Sequence, residues 1–154
     1  MTTTTTNTSV RVSQRIKASP DRLFRAWTDP KQLVHWWRMD APGWSFSGAS
    51  VDLRVGGRYR LAMTSPDGKS HVAVGEYQEV RRPSRLAFTW EWEDSASRVG
   101  DTLVTVELND VGDGVTEVVL THERFSDASR ATGHETGWTQ LLRLLDRAAQ
   151  ENTI

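Results

Sequence analysis

The sequence predicts an α+β fold in which a curved antiparallel sheet of about seven strands wraps a long C-terminal helix, with two short helices after strand one. Three observations predict it. Segments of period two recur from Trp44 to Glu123 between turns rich in glycine, proline and aspartate. One long apolar stripe of helical period follows, from Trp138 to Ala149. At 154 residues without a cysteine, the chain has the length of one domain and must be held together by packing alone.

The elements follow in order. Val10, Val12 and Ile16 alternate with Arg11, Ser13 and Arg15, the mark of a half-buried strand. Ser19-Pro20-Asp21 supplies an N-cap, a first-turn proline and an acid, and Leu23, Phe24 and Trp27 recur at helical spacing up to Asp29-Pro30. Leu33, Trp36 and Trp37 stand at i, i+3 and i+4, predicting a second short helix over 31–37 that Pro42-Gly43 closes. Strands are then predicted at 45–54, 58–64 and 71–80, with Gly56-Gly57 and Pro66-Asp67-Gly68 as turns. Leu86, Phe88, Trp90 and Trp92 share one face of a fifth strand, and two more follow at 103–108 and 115–123. The run Asn109-Asp110-Val111-Gly112-Asp113-Gly114 separates the last two as a turn.

Asp127 is placed to cap the final helix, whose stripe is Trp138, Leu141, Leu142, Leu145 and Ala149. The concave face of the sheet is the one large apolar surface on which that stripe can be buried. Gly133 and Gly137 each weaken the helix by about 1 kcal/mol relative to alanine, so local distortion or close backbone approach is expected there. The threonine-rich residues 1–8 are expected to be loosely held, and residues 9–152 to form one domain.

Particular residues within this order resemble a known family. They are Ala26-Trp27-Thr28-Asp29-Pro30, His35-Trp36-Trp37, Asp52-Leu53-Arg54-Val55-Gly56-Gly57-Arg58-Tyr59, Leu86-Ala87-Phe88-Thr89-Trp90, Leu120-Thr121-His122 and Gly137-Trp138. As a set they resemble the START-like superfamily, also named for polyketide cyclases, the birch-pollen allergen and lipid transport. More narrowly, they are similar to its branch of homologues of the activator of the heat-shock ATPase. The resemblance runs from Ser9 to Ala149 and implies a helix-grip fold with a cavity between sheet and last helix. Related domains include lipid carriers, cyclases, aromatases and a co-chaperone module, so the fold does not choose among functions. Stand-alone proteins of this branch are typically small and bacterial.

Charge and motif exclude several classes. Nineteen basic and 20 acidic residues are interspersed, giving a net charge of −1 and no basic field for nucleic acid. No segment has the apolar length of a membrane span or the pattern of an export signal, so a cytoplasmic protein is expected. His35, His71, His122 and His134 lie too far apart for a metal-ligand motif, and no cofactor or metal is expected. Neither Gly56-Gly57 nor Gly112-Asp113-Gly114 opens a helix, as a phosphate site would require.

The candidate site is the cavity. Strand phase turns Tyr59, Leu61, Met63, Phe88, Trp90, Val104, Val106, Val118, Leu120 and His122 inward, facing Trp138, Leu141, Leu142 and Leu145 on the helix, with His134 nearby. Seven tryptophans against four phenylalanines and two tyrosines suit a wall for an apolar, aromatic or acyl ligand, in a stress or detoxification role. The Tyr59 hydroxyl, the Trp90 indole N–H and His122 are the expected orienting groups. Of Trp36 and Trp37, one is expected to cap the core and the other to lie at the surface. A second reading is a cyclase- or aromatase-like enzyme in the same cavity, with His122, Tyr59 and Glu76 as acid–base candidates. For His122 a hydrogen-bonded core role is expected ahead of a catalytic one. A third reading is a co-chaperone-like module binding through an exposed patch from Trp36, Trp37 and Trp44. Charge flanking the edge strands suits a monomer, while a homodimer across a two-fold is the alternative assembly.

Overall fold

The computed structural model describes residues 9–94 and 102–154. The expectation for residues 1–8 lies outside them. Strand β1 (Val10–Ile16) leads into helix α1 (Pro20–Thr28), where the Ser19 hydroxyl accepts the Arg22 N–H at 3.2 Å. Asp29 then serves two helices. Its N–H closes α1 on the Arg25 carbonyl at 2.9 Å, while its carboxylate accepts the Lys31 N–H at 2.9 Å to open α2 (Pro30–Leu33). Here α2 is shorter than the predicted 31–37. Trp36 and Trp37 are reached instead through two turn bonds to the Leu33 carbonyl.

Six strands follow: β2 (Ser45–Val51), β3 (Arg58–Thr64), β4 (Ser70–Arg81), β5 (Arg85–Trp92), β6 (Thr102–Gly112) and β7 (Val115–Glu123). They form one antiparallel sheet in the order β1-β7-β6-β5-β4-β3-β2, so the first strand closes the meander by pairing with the last, Val12 opposite Leu120. Two boundaries differ from the sequence prediction. β2 stops at Val51 because Asp52 to Gly57 fold into a tight turn in which the Gly57 N–H bonds the Arg54 carbonyl at 2.8 Å. β6 continues through the expected turn run, since Asn109 and Asp110 still pair with Glu117 and Thr116, and the chain reverses only at Asp113. Turn-forming residues at the exposed tip of a long hairpin cost little, so pairing wins.

The sheet bends where β4 meets β5. Ladder pairing passes from Val74–Glu91 to Tyr77–Phe88, and the register shifts between Tyr77 and Glu79. In the gap, the Thr89 hydroxyl accepts the Glu76 N–H at 2.9 Å and the Tyr59 hydroxyl donates to the Thr89 carbonyl at 2.6 Å. Side chains thereby satisfy backbone groups that the bend removes from the ladder. Gly75 makes this crossing feasible, because a Cβ there would lie 1.9 Å from the Thr89 oxygen and 2.8 Å from the Tyr59 ring.

Helix α3 (Ala128–Gln150) lies against the concave side, with Asp127 accepting the Arg130 N–H at 2.9 Å as its cap. The predicted stripe is buried, and Ala131, Leu144 and Ala148 join it, widening the buried face towards β1. Arg22 of α1 fastens the far end, donating to the Ala149 carbonyl at 3.3 Å and the Ile154 carbonyl at 3.0 Å. That places a cation where the helix exposes its last carbonyls.

Gly75→Ala is expected to destabilise the protein by about 1–3 kcal/mol through overpacking between β4 and β5. A thermal melt should show Tm falling by roughly 2–4 °C for each kcal/mol. An unchanged Tm would refute the crossing as a constraint.

Candidate functional site

Six of the seven tryptophans form one connected cluster. Trp27, Trp36, Trp37, Trp138, Trp90 and Trp92 touch in succession, with ring centroids between 4.8 and 6.4 Å apart. Trp44 instead packs on the His71 ring at 5.1 Å. The split between Trp36 and Trp37 expected from sequence does not occur: both are fully buried, and the Trp36 indole donates to the Ala26 carbonyl at 3.0 Å. Helix α1 causes this. It lays Trp27 across the sheet and leaves an acceptor for Trp36 beneath it, so neither ring supplies an exposed patch.

The cluster divides the space between sheet and helix. On one side Trp27 presses on Tyr59, Leu61, Tyr77, Leu86 and Phe88, leaving a void of only about 10 Å³. On the other side a hollow of about 330 Å³ opens to solvent. Its helix wall is Arg130, Gly133, His134, Gly137, Trp138 and Leu141, one face of α3 at i, i+3, i+4, i+7, i+8 and i+11. Met63 of β3, His71 of β4 and Trp90 and Trp92 of β5 form the sheet wall, and Trp37, Met39 and Trp44 close it from the 34–44 segment.

Of the residues named from sequence, Trp37, Met63, Trp90, His134, Trp138 and Leu141 border the hollow. The others do not. Tyr59, Leu61 and Phe88 belong to the filled side, while Trp36, Val104, Val106, Val118, Leu120, His122, Leu142 and Leu145 are packed in the core. Strand phase reports which face a residue occupies but not how far along the groove it lies, and α1 fills one end of that groove. Sequence reasoning missed Met39, Trp44, His71, Trp92, Arg130, Gly133 and Gly137. The helical spacing upstream of Trp138 points to Arg130, Gly133 and His134, and the β5 phase points to Trp92.

Of the polar groups expected to orient a ligand or act on it, Tyr59 and Glu76 are engaged elsewhere. The Tyr59 hydroxyl is held by the Thr89 carbonyl, and burial raises its pKa well above the usual range. The Trp90 indole N–H is buried and, with those of Trp27 and Trp37, finds no acceptor among the described residues. Glu76 sits on the outer face 4.0 Å from Arg58, away from the hollow.

His122 is the centre of a fixed chain of hydrogen bonds. An indole N–H can only donate, so Trp138 donates to His122 Nδ1 at 3.0 Å and the His122 proton resides on Nε2. Nε2 then donates to the Thr102 hydroxyl at 2.9 Å, which donates to the Trp90 carbonyl at 2.7 Å. Burial first, and His134 second, depress its pKa to about 2. Both ring nitrogens are therefore committed, and His122 fills the core role weighed above. His134 repeats the arrangement at the hollow's edge: Trp92 donates to Nε2 at 2.9 Å, and Nδ1 donates to the Arg130 carbonyl at 2.8 Å. Burial again lowers its pKa. Among the described residues no cluster of histidine, aspartate and glutamate could hold a metal ion, and no helix is long and apolar enough to cross a membrane.

A seven-stranded curled sheet gripping a long C-terminal helix, with an aromatic hollow between them, places the chain in the START-like class. Within it, the family model of Activator of Hsp90 ATPase homolog 1-like proteins matches residues 17–150, and the chain belongs to that family. A crystal structure from Chromobacterium violaceum is similar, with 26% identity, a TM-score of 0.81, and coverage of 92% of this chain and 96% of that one. An AHSA1 protein of Silicibacter pomeroyi shares the fold at 24% identity and a TM-score of 0.81, covering 94% of this chain and 99% of its own. An HSP90 activator of Plasmodium falciparum does so at 24% identity and a TM-score of 0.66, covering 88% and 91%. No curated protein matches the chain.

The depressed His122 pKa makes stability depend on pH. Between about 6.5, the ordinary value, and about 2, the unfolded chain binds a proton at this residue that the folded chain refuses. Stability is therefore full above that window and is lost as pH falls through it, by up to about 1.4 kcal/mol per pH unit. His122→Gln keeps an acceptor and a donor but cannot titrate. Chemical denaturation from pH 7 to pH 4 should show a slope shallower by one proton in that variant; equal slopes would contradict a buried neutral His122.

Proposed function

We propose that this protein binds a small apolar molecule in the hollow between α3 and the sheet. One observation carries the proposal. Gly133 and Gly137 interrupt α3 on the hollow's face, and a Cβ at either would meet nothing within 4 Å. Neither distortion nor close packing, the reasons expected from sequence, accounts for them. Each costs the helix about 1 kcal/mol relative to alanine and leaves space in return. The volume of about 330 Å³ lies at the lower end of small-molecule sites, and the wall is largely indole, thioether and aliphatic carbon.

The alternatives draw less support. A cyclase-like reaction needs an acid–base group facing the substrate, and His122, Tyr59 and Glu76 all point elsewhere or are already bonded. A co-chaperone-like role needs an exposed aromatic patch, and Trp36 and Trp37 are buried. The likeness to an HSP90 activator is one of fold.

The test separates filling the hollow from damaging the fold. The double variant Gly133→Leu/Gly137→Leu places side chains in open space and improves helix propensity, so Tm should rise by roughly 3–6 °C. Titrating cinnamyl alcohol by calorimetry should give saturable binding to the unmodified protein and at least tenfold weaker binding to the variant. A stable variant that binds as well as the parent would reject the proposal.

A further inference from the structure

The hollow is charged at one point, and that point selects its ligand. Arg130 is the only charged side chain bordering it among the described residues, and no carboxylate does so. The guanidinium sits on the first turn of α3, at the mouth, about 40% exposed. Its Nε lies 3.5 Å from the Asp127 carboxylate, but its terminal nitrogens bond no described residue. A planar fork whose two terminal nitrogens bond no described residue thus borders an apolar chamber, and a fork of that shape matches a carboxylate. From Arg130 to Trp138 is eight residues of helix, about 12 Å along the axis. The volume of about 330 Å³ is at the lower end of small-molecule sites, room for one ring with a short arm.

We infer that the ligand is an aromatic monocarboxylate, its ring among Trp37, Trp90 and Trp138 and its carboxylate on Arg130. The inference rests on the hollow being a binding site. A second carboxylate would enter a chamber with no further cation, and an ammonium group would face Arg130, whose Asp127 partner is not part of the hollow's wall. His71 supplies the remaining polar contact. Its Nε2 lies 3.1 Å from the Ser65 hydroxyl, whose proton is taken by Asp67, so Nε2 donates and Nδ1 bonds no described residue. That nitrogen can accept a proton from a ring hydroxyl of the ligand but is not required for the carboxylate.

Three probes of one skeleton test the charge. Cinnamate, cinnamyl alcohol and cinnamylammonium are titrated into the intact protein by calorimetry at low salt. Cinnamate should bind about tenfold tighter than the alcohol, and cinnamylammonium weakest of the three. Arg130→Gln should abolish the preference, so that cinnamate binds no tighter than the alcohol to the same variant, and Arg130→Lys should retain part of it. If the alcohol equals cinnamate, or cinnamylammonium binds tightest, the inference is overturned while the binding hollow stands. Retention of the full cinnamate preference in Arg130→Gln overturns it likewise. If none of the three binds, the hollow itself is not a site and both proposals fall.

Discussion

A single α-helix cannot fill a curled seven-stranded sheet. The helix is about 10–12 Å across with its side chains, whereas the sheet bends sharply at the Gly75–Thr89 crossing and closes through β1 on β7. The space left over must be packed or left open, and this chain does both. Helix α1 carries Trp27 into one end, where it leaves almost no void. At the other end the helix itself gives way: two glycines replace the side chains that would have completed the core. Everything specific about the site follows from that division.

The tryptophans make the division rigid. Trp138 on α3 packs against Trp90 on β5 with ring centroids 4.9 Å apart, and the same indole donates to His122 on β7. Helix, central strand and closing strand are thus joined at one residue. The chain of donors continues through Thr102 to the Trp90 carbonyl, so these groups form a directional set. Burial lowers the pKa of His134 on the chamber's wall and of His122 in the core behind it, which favours their neutral forms. The Arg130 guanidinium, paired with Asp127, is the one arginine, lysine or carboxylate side chain bordering the hollow among the described residues.

Among the described residues local preference and global fold conflict at several positions, and some of these lie at the site. Glycine in a helix interior works against the helix, yet Gly133 and Gly137 stand one turn apart on the face that looks into the hollow. Indole N–H groups prefer an acceptor when buried, yet those of Trp37 and Trp90 have none among the described residues. Such conflicts cost stability in a protein that is otherwise locally consistent, and they mark where packing was not the sole requirement.

The period-two segments, the caps at Ser19 and Asp127, and the stripe from Trp138 to Ala149 were all legible in the sequence. Each depends on residues within a few positions of one another. They determined the elements, their order and the α+β class, and so the face of each strand that turns inward. Only the tertiary structure decided which inward residues meet a ligand-sized space. That depends on where α1 drops Trp27, on the 34–44 segment bringing in Met39 and Trp44, and on the meeting of Trp138 with His122 across 16 residues of chain. Periodicity encodes direction perpendicular to an element, whereas depth along a groove is set by contacts between elements distant in sequence. For that reason the sequence could weigh His122 as a base only behind a core role, without showing that both its nitrogens are occupied, and it did not single out Arg130.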